Sequence, residues 1–235
     1  SRDLRTALDP TVTDRFPRGV LFDLDGTLLD SAPDMVAAIN LLRRDHGLEA
    51  MALETLRPHV SKGARAMVRC AFGHLDDAGR EALVRPFLDA YQSVLGQYCV
   101  AFDGIEAMLE ALDADGVAWG IVTNKPEYLA APLVPMLGWA ERCRVLIGGD
   151  TLAHAKPHPL PLLHAAEVMG VAPSDCVYVG DDERDIVAAR AAGMPSIVAL
   201  WGYRLPHDDP AAWQGDVMIE QPHALHVPAA WPRLR

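Results

Sequence analysis

Short apolar runs that end on polar residues recur along this chain, and they constrain its fold more tightly than any other feature. The first, residues 19–24, leads into the turn signal Asp25-Gly26, as a buried strand does at its exit. Similar runs recur at 117–122, 145–147, 176–179 and 196–200. Between them lie helical patterns. Ile105, Met108, Leu109 and Leu112 share the spacing of one helix face, and Leu162, Ala165, Ala166 and Met169 repeat it. Strands that alternate with helices predict an α/β fold whose parallel sheet is covered on both faces.

One connection breaks that rhythm. A strand–helix–strand unit takes about 30 residues, yet from Ser31 to about Val100 there are helical patterns and no convincing strand. Met35, Ala38, Ile39 and Leu42 mark one helix, and 64–72 and 81–95 read as two more. This predicts a small α-helical cap domain inserted after the first strand. The expected organisation is an N-terminal tail over 1–18, a core domain built from 19–33 and 100–235, and a cap over 34–99. The stretch from Tyr203 onward is rich in Pro, His and Trp and reads as loop, with Val217-Met218-Ile219 as a candidate edge strand.

In a parallel sheet, ligands bind outside the carboxyl ends of the strands, so the polar residues that close each run are the ones to examine. Asp23-Leu24-Asp25-Gly26-Thr27 places two carboxylates two residues apart at a strand end. One can attack phosphorus while the other, protonated, hands a proton to the leaving oxygen. Asp-Gly alone is usually only a turn; the extra Asp and the Thr directly after a buried strand change that reading. Thr123-Asn124-Lys125 ends a second run, where a hydroxyl and backbone N–H groups can hold a phosphoryl oxygen, although Thr-Asn before Pro126 also suits a helix start. Lys156 lies among turn-forming residues ahead of the helix around Leu162, where an ammonium can balance phosphate and aspartate charge. Gly180-Asp181-Asp182-Glu183-Arg184-Asp185 follows the fourth run. Such a carboxylate cluster repels itself unless it binds a cation, and hard oxygen ligands suit Mg²⁺. Glu183 reads better as acidic charge at a helix start, and Asp181, at the strand tip, as the metal ligand.

Bulk properties narrow the partner. A formal net charge of −11 with no run of Lys or Arg disfavours nucleic acid and anionic membrane, while a few placed donors and a metal still capture a small anion. No apolar run approaches the ~20 residues of a spanning helix, and residues 1–18 carry mixed charge without a secretory apolar stretch. Cys70, Cys99, Cys143 and Cys176 form no C-x-x-C pair, which argues against zinc and for reduced, mostly buried thiols in a cytoplasmic protein.

Taken together, the four stations resemble the haloacid dehalogenase superfamily in order and spacing. The D-x-D-G-T signature matches at 23–27, followed by Leu28, Leu29, Asp30 and Ser31, and Thr123, Lys156 and the G-D-x-x-x-D at 180–185 complete it. The stretches 22–33, 123–126 and 179–185 are similar to those of phosphoglycolate phosphatases with a small helical cap. The cap segment 61–67 and the tail around 208–216 also look like bacterial N-acetylmuramic acid 6-phosphate phosphatases. The resemblance implies a Rossmann-like core and a Mg²⁺-dependent phosphomonoesterase acting on a small phosphorylated metabolite through an aspartyl phosphate. It implies Asp23 as nucleophile and Asp25 as general acid and then base. Mg²⁺ would be held by Asp23, the Asp25 carbonyl and Asp181, supported by Asp185. Thr123 and Lys156 would bind the phosphoryl group, with Thr27 and Asn124 among the substrate-binding residues. Lys62 and Arg65 of the cap are expected to meet a substrate carboxylate, or else to face solvent. A dehalogenase of this fold typically lacks the second Asp. A phosphomutase would use the same residues, and a non-enzymatic scaffold predicts the loss of at least one of Asp23, Asp25, Lys156 or Asp181, none of which is lost. No role for the Asp182 carboxylate follows from the sequence.

Overall fold

A computed structural model describes residues 15–234. The tail expected over 1–18 lies, through residue 14, outside the described residues. Six parallel strands form one sheet: β1 (Gly19–Phe22), β4 (Ala118–Val122), β5 (Cys143–Ile147), β6 (Cys176–Gly180), β7 (Ser196–Ala199) and β8 (Val217–Ile219). Their spatial order is β5-β4-β1-β6-β7-β8. The chain thus steps outward twice on one side of β1, then returns to build the other side. That reversal opens a crevice at the carboxyl ends of β1, β4 and β6, the place where such sheets bind ligands.

The strands read as unbroken apolar runs because both faces are covered. Val20 and Phe22 of β1 enter one core with Trp119, Val177, Val179 and helix α5 (Ile105–Ala114). Leu21 enters a second core with Tyr178, Val122 and helix α8 (Leu160–Met169). The expected faces of α5 and α8 are the buried ones, Met169 being only partly covered. Helix α9 (Glu183–Ala191) follows β6, and the short helices α6 (Glu127–Ala130) and α7 (Leu133–Met136) follow β4. β8 is the edge strand, as its sequence suggests. The rest of the tail winds into 3-10 turns at Pro210–Trp213, Pro222–His226 and Pro228–Ala230. These carry Leu225 and Trp231 into the core, so this stretch is less loop-like than its composition implies.

Helices occupy the long connection. Two two-residue strands, β2 (Leu29–Asp30) and β3 (Val100–Ala101), pair antiparallel. Between them run α1 (Ala32–Asp45), α2 (Leu53–Leu56), a 3-10 turn (Arg57–Lys62), α3 (Ala64–Ala71) and α4 (Asp77–Val94). α4 begins four residues before the expected start, where the Asp76 carboxylate accepts from the Gly79 N–H at 2.8 Å and caps the first turn. The insertion buries its own cluster, including Ile39, Met67, Phe72 and Phe87. Full burial of each such side chain contributes about 1.5–3 kcal/mol, and Leu129 and Tyr203 from outside the insertion join the same cluster. Asp34, near the start of α1, accepts from the Gly96 N–H at 2.7 Å and the Tyr98 N–H at 2.6 Å, fastening the returning chain to the departing one. Among the described residues no helix is long and apolar enough to cross a membrane. The four cysteines are free, but only Cys176 is buried and the other three are half-buried.

Candidate active site

Asp23 directly follows β1, its N–H bonded to the Val179 carbonyl of β6 at 2.9 Å. Three residues on, Gly26 turns the chain with a φ of 86°. A Cβ there would lie 2.3 Å from an Asp181 carboxylate oxygen, so the glycine both makes the turn and leaves room for the neighbouring carboxylate. Asp181 in turn follows β6, and Thr123 follows β4.

Each of the two signature aspartates has its own lysine. The Lys156 ammonium donates to Asp23 Oδ1 at 3.0 Å, to Asp185 Oδ1 at 2.7 Å and to the Tyr178 hydroxyl at 2.7 Å. The Tyr178 hydroxyl itself donates to the Val122 carbonyl at 2.7 Å, which fixes it to the sheet. The Lys125 ammonium lies 3.0 and 3.2 Å from the two oxygens of Asp25. It also donates to the hydroxyl of Tyr91 on α4 and sits 4.3 Å from that ring's centre. The sequence reading placed Lys125 at the end of the second run but gave its side chain no role, yet that side chain is 2% exposed.

The remaining predicted residues divide by what they touch. Asp181 accepts from Thr27 Oγ1 at 3.0 Å, from Ser61 Oγ at 2.7 Å and from the Tyr203 N–H at 2.8 Å. Thr27 is therefore turned onto Asp181 and completely buried. The Asn124 side chain donates to the Lys156 carbonyl at 2.9 Å and accepts from its N–H at 3.0 Å, so it holds the backbone that aims Lys156. Thr123 is buried beside them, its hydroxyl accepting from the Lys125 N–H at 3.2 Å. Lys62 bridges Asp182 and Asp208, at 2.9 Å from each. Arg65 lies at the cavity mouth, 71% exposed and paired with Glu81 at 2.7 Å.

Asp182 caps α9, and with Asp185 it forms a reciprocal box of side chain to backbone bonds. Its carboxylate also accepts from Lys62 of the insertion and from Arg184 at 2.7 Å, while Arg184 reaches the Ser61 carbonyl. Burial pushes the Asp182 carboxyl up, but Arg184 and Lys62 outweigh it and hold it below the usual range. The extra acid thus ties α9 to the insertion.

Three buried carboxylates, Asp23, Asp181 and Asp185, bring ligand oxygens within 4.8 Å of one another. Of these, Asp23 and Asp185 share the one Lys156 ammonium. Burial pushes the Asp23 carboxyl up to about 6, with Asp185 and Asp25 adding to the rise and Lys156 opposing it. Burial also raises Asp181 well above the carboxylate range, and the charges of Asp23 and Asp185 raise it further. When ionised, three carboxylates against one ammonium leave two negative charges uncovered, and their donors are all hard oxygens. The set fits a divalent cation of the Mg²⁺ kind. Beside it opens a cavity of about 370 Å³. Asp23, Asp25, Thr123 and Lys156 line one end, and Val84, Phe87 and Tyr91 of α4 line the other.

Comparison with known proteins agrees with this geometry. Residues 20–199 match the sequence profile of the haloacid dehalogenase-like hydrolases. The chain is 65% identical to a phosphoglycolate phosphatase of Xanthomonas campestris pv. campestris over 93% of its own length and 99% of that protein's. It is 44% identical to an N-acetylmuramic acid 6-phosphate phosphatase of Pseudomonas aeruginosa, covering 88% of this chain and 92% of that one. The crystal structure of a predicted phosphoglycolate phosphatase from Haemophilus somnus superposes with a TM-score of 0.78 at 27% identity, covering 88% of this chain and 96% of that one.

Proposed function

The chain belongs to the haloacid dehalogenase-like hydrolases, and on that premise we propose that it hydrolyses a small carboxylate-bearing phosphate monoester of the phosphoglycolate kind. The observation that carries this reading is the pairing of each signature aspartate with a buried lysine beside one cavity. Asp23 is the nucleophile: one of its oxygens attacks phosphorus as the bond to the leaving alcohol breaks. Lys156 holds that carboxylate in line and, with Thr123, receives the phosphoryl oxygens. A protonated Asp25 gives its proton to the departing oxygen. It then takes a proton from the water that attacks phosphorus, which frees Asp23 and releases inorganic phosphate. Mg²⁺, held by Asp23, Asp181 and the Asp25 carbonyl with Asp185 beside them, would neutralise charge on the phosphoryl group. Lys62 stands where a substrate carboxylate can replace one of its two aspartate partners, and Arg65 waits at the mouth. The helices over 34–99 act as the cap that excludes water and selects the leaving group.

The cavity favours a second reading. About 370 Å³ with an apolar wall exceeds what a two-carbon acid fills, and the 44% relative acts, by its name, on a sugar acid phosphate. Phosphate release from 2-phosphoglycolate, N-acetylmuramic acid 6-phosphate and common sugar phosphates separates the two. Preferred turnover of 2-phosphoglycolate is expected. A preference for the sugar acid would install the second reading, and no release from any ester would sink both. Asp23→Asn should lose the ability to form an aspartyl phosphate mimic with beryllium fluoride. Asp25→Asn should keep that ability and lose about two to four orders of magnitude in turnover.

A further inference from the structure

The two lysine–aspartate pairs differ in one respect. The Lys156–Asp23 pair is anchored by Tyr178 of β6, wholly within the sheet. The Lys125–Asp25 pair is anchored by Tyr91, which belongs to α4 of the insertion. Tyr91 is itself 2% exposed and stacked on Phe87 at a centroid distance of 6.3 Å, so its hydroxyl moves only if the insertion moves. Lys125 touches both oxygens of Asp25. The position of that one ammonium therefore sets how the Asp25 carboxyl is turned.

We infer that Lys125 and Tyr91 are positioning residues that aim the Asp25 carboxyl, and that through them proton delivery depends on the docked insertion more directly than nucleophilic attack does. The inference rests on the phosphatase reading and adds to it a pair of residues and a division of labour. The Asp23 carboxylate is held by Lys156, outside the insertion, and the insertion reaches this half of the site through Ser61 on Asp181. Proton transfer to the leaving oxygen, as the phosphorus–oxygen bond breaks, uses a carboxyl whose orientation is set through Lys125 by a side chain of α4. An isolated buried ammonium is costly unless paired and hydrogen-bonded. Here the pairing covers Asp25 and Tyr91 together, so removing either partner frees the others to turn.

The test exploits leaving-group chemistry. A dinitrophenolate departs without a proton, whereas an alkoxide needs one. For Lys125→Met, kcat/KM, which reports formation of the aspartyl phosphate, should fall about a hundredfold on ethyl phosphate and less than about threefold on dinitrophenyl phosphate. Tyr91→Phe keeps the ring and the packing, and it should show the same ordering at about tenfold on the alkyl ester. Thermal unfolding of both variants checks that they fold. Should Lys125→Met not fold, the Tyr91→Phe pair of measurements decides alone. Equal losses on both esters would overturn the inference in favour of plain structural support. Loss confined to 2-phosphoglycolate, with ethyl phosphate untouched, would also overturn it and make Lys125 a clamp for the substrate carboxylate. A wild-type protein that forms no aspartyl phosphate would instead remove the phosphatase reading on which the inference stands.

Discussion

Asp23, Asp181 and Asp185 crowd their negative charge around a single ammonium, and that crowding has a measurable pH signature. The folded-state pKa of Asp23 is raised from the usual 3.8 to about 6, and that of Asp181 is raised as well. Below the unfolded value both states carry the proton and nothing is lost. As pH climbs through the window up to about 6, the unfolded chain releases protons that the folded one retains, and the ion-free protein loses stability. A divalent cation cancels that loss only where the carboxylates are ionised. Saturating Mg²⁺ against EDTA should therefore raise Tm by about 5–10 °C at pH 7.5 and by much less at pH 5, as read by differential scanning fluorimetry. An equal shift at both pH values would remove the cluster as the metal site. Of these residues Asp23 and Asp181 were legible in the sequence because each sits one step past an apolar run, and Asp185 through the G-D-x-x-x-D spacing. Lys125 and Tyr91 were not, since a lysine before proline and a tyrosine in an amphipathic helix look the same whether or not they meet.

At the scale of elements, α9 shows one residue serving two ends. Asp182 caps the helix and also receives Lys62 from the insertion. Asp182→Ala should cost about 1–2 kcal/mol in urea unfolding, chiefly the lost cap, since Lys62 retains Asp208. Lys62→Ala should lower kcat/KM on a carboxylate-bearing ester at least tenfold, about 1.4 kcal/mol, with an aryl phosphate nearly unchanged. Equal losses on both would indicate a displaced cap rather than a lost contact. Helices α5 and α8 were legible because their apolar period survives over several turns, and the main sheet strands because they are unbroken apolar runs. β2 and β3 hold two residues each, too few for any period to register. The first turn of α4 was hidden because Gly79 and the exposed charges around it carry no apolar face, and Pro86 interrupts the pattern further on.

Hydrophobic burial falls mostly into two bodies, the sheet's cores on one side and the insertion's cluster on the other, with Leu129 and Tyr203 from outside the insertion packed into the latter. Phe72→Ala, deep in the insertion, should cost about 3–5 kcal/mol. It should speed hydrogen exchange of α3 and α4 amides while those of β1 and β6 keep their protection. Parallel loss of protection in both bodies would show that they unfold as one. Sequence pattern predicted the helical insertion but not the strand order, because the order depends on which side each crossover turns, and no residue spacing records that. Among the described residues the chain crosses between the bodies side by side at the β2–β3 ribbon, with Asp34 clasping the returning chain at Gly96 and Tyr98. Two chains abreast bend readily across their common plane and resist shear and twist within it. A body moving on such a strap would have one arc of travel, and α4 and the 61–65 loop would meet the alcohol portion of every ester along the same approach. Regioselectivity would then belong to the axle as much as to the side chains, and displacing Leu29 or Ala101 would misdirect the arc.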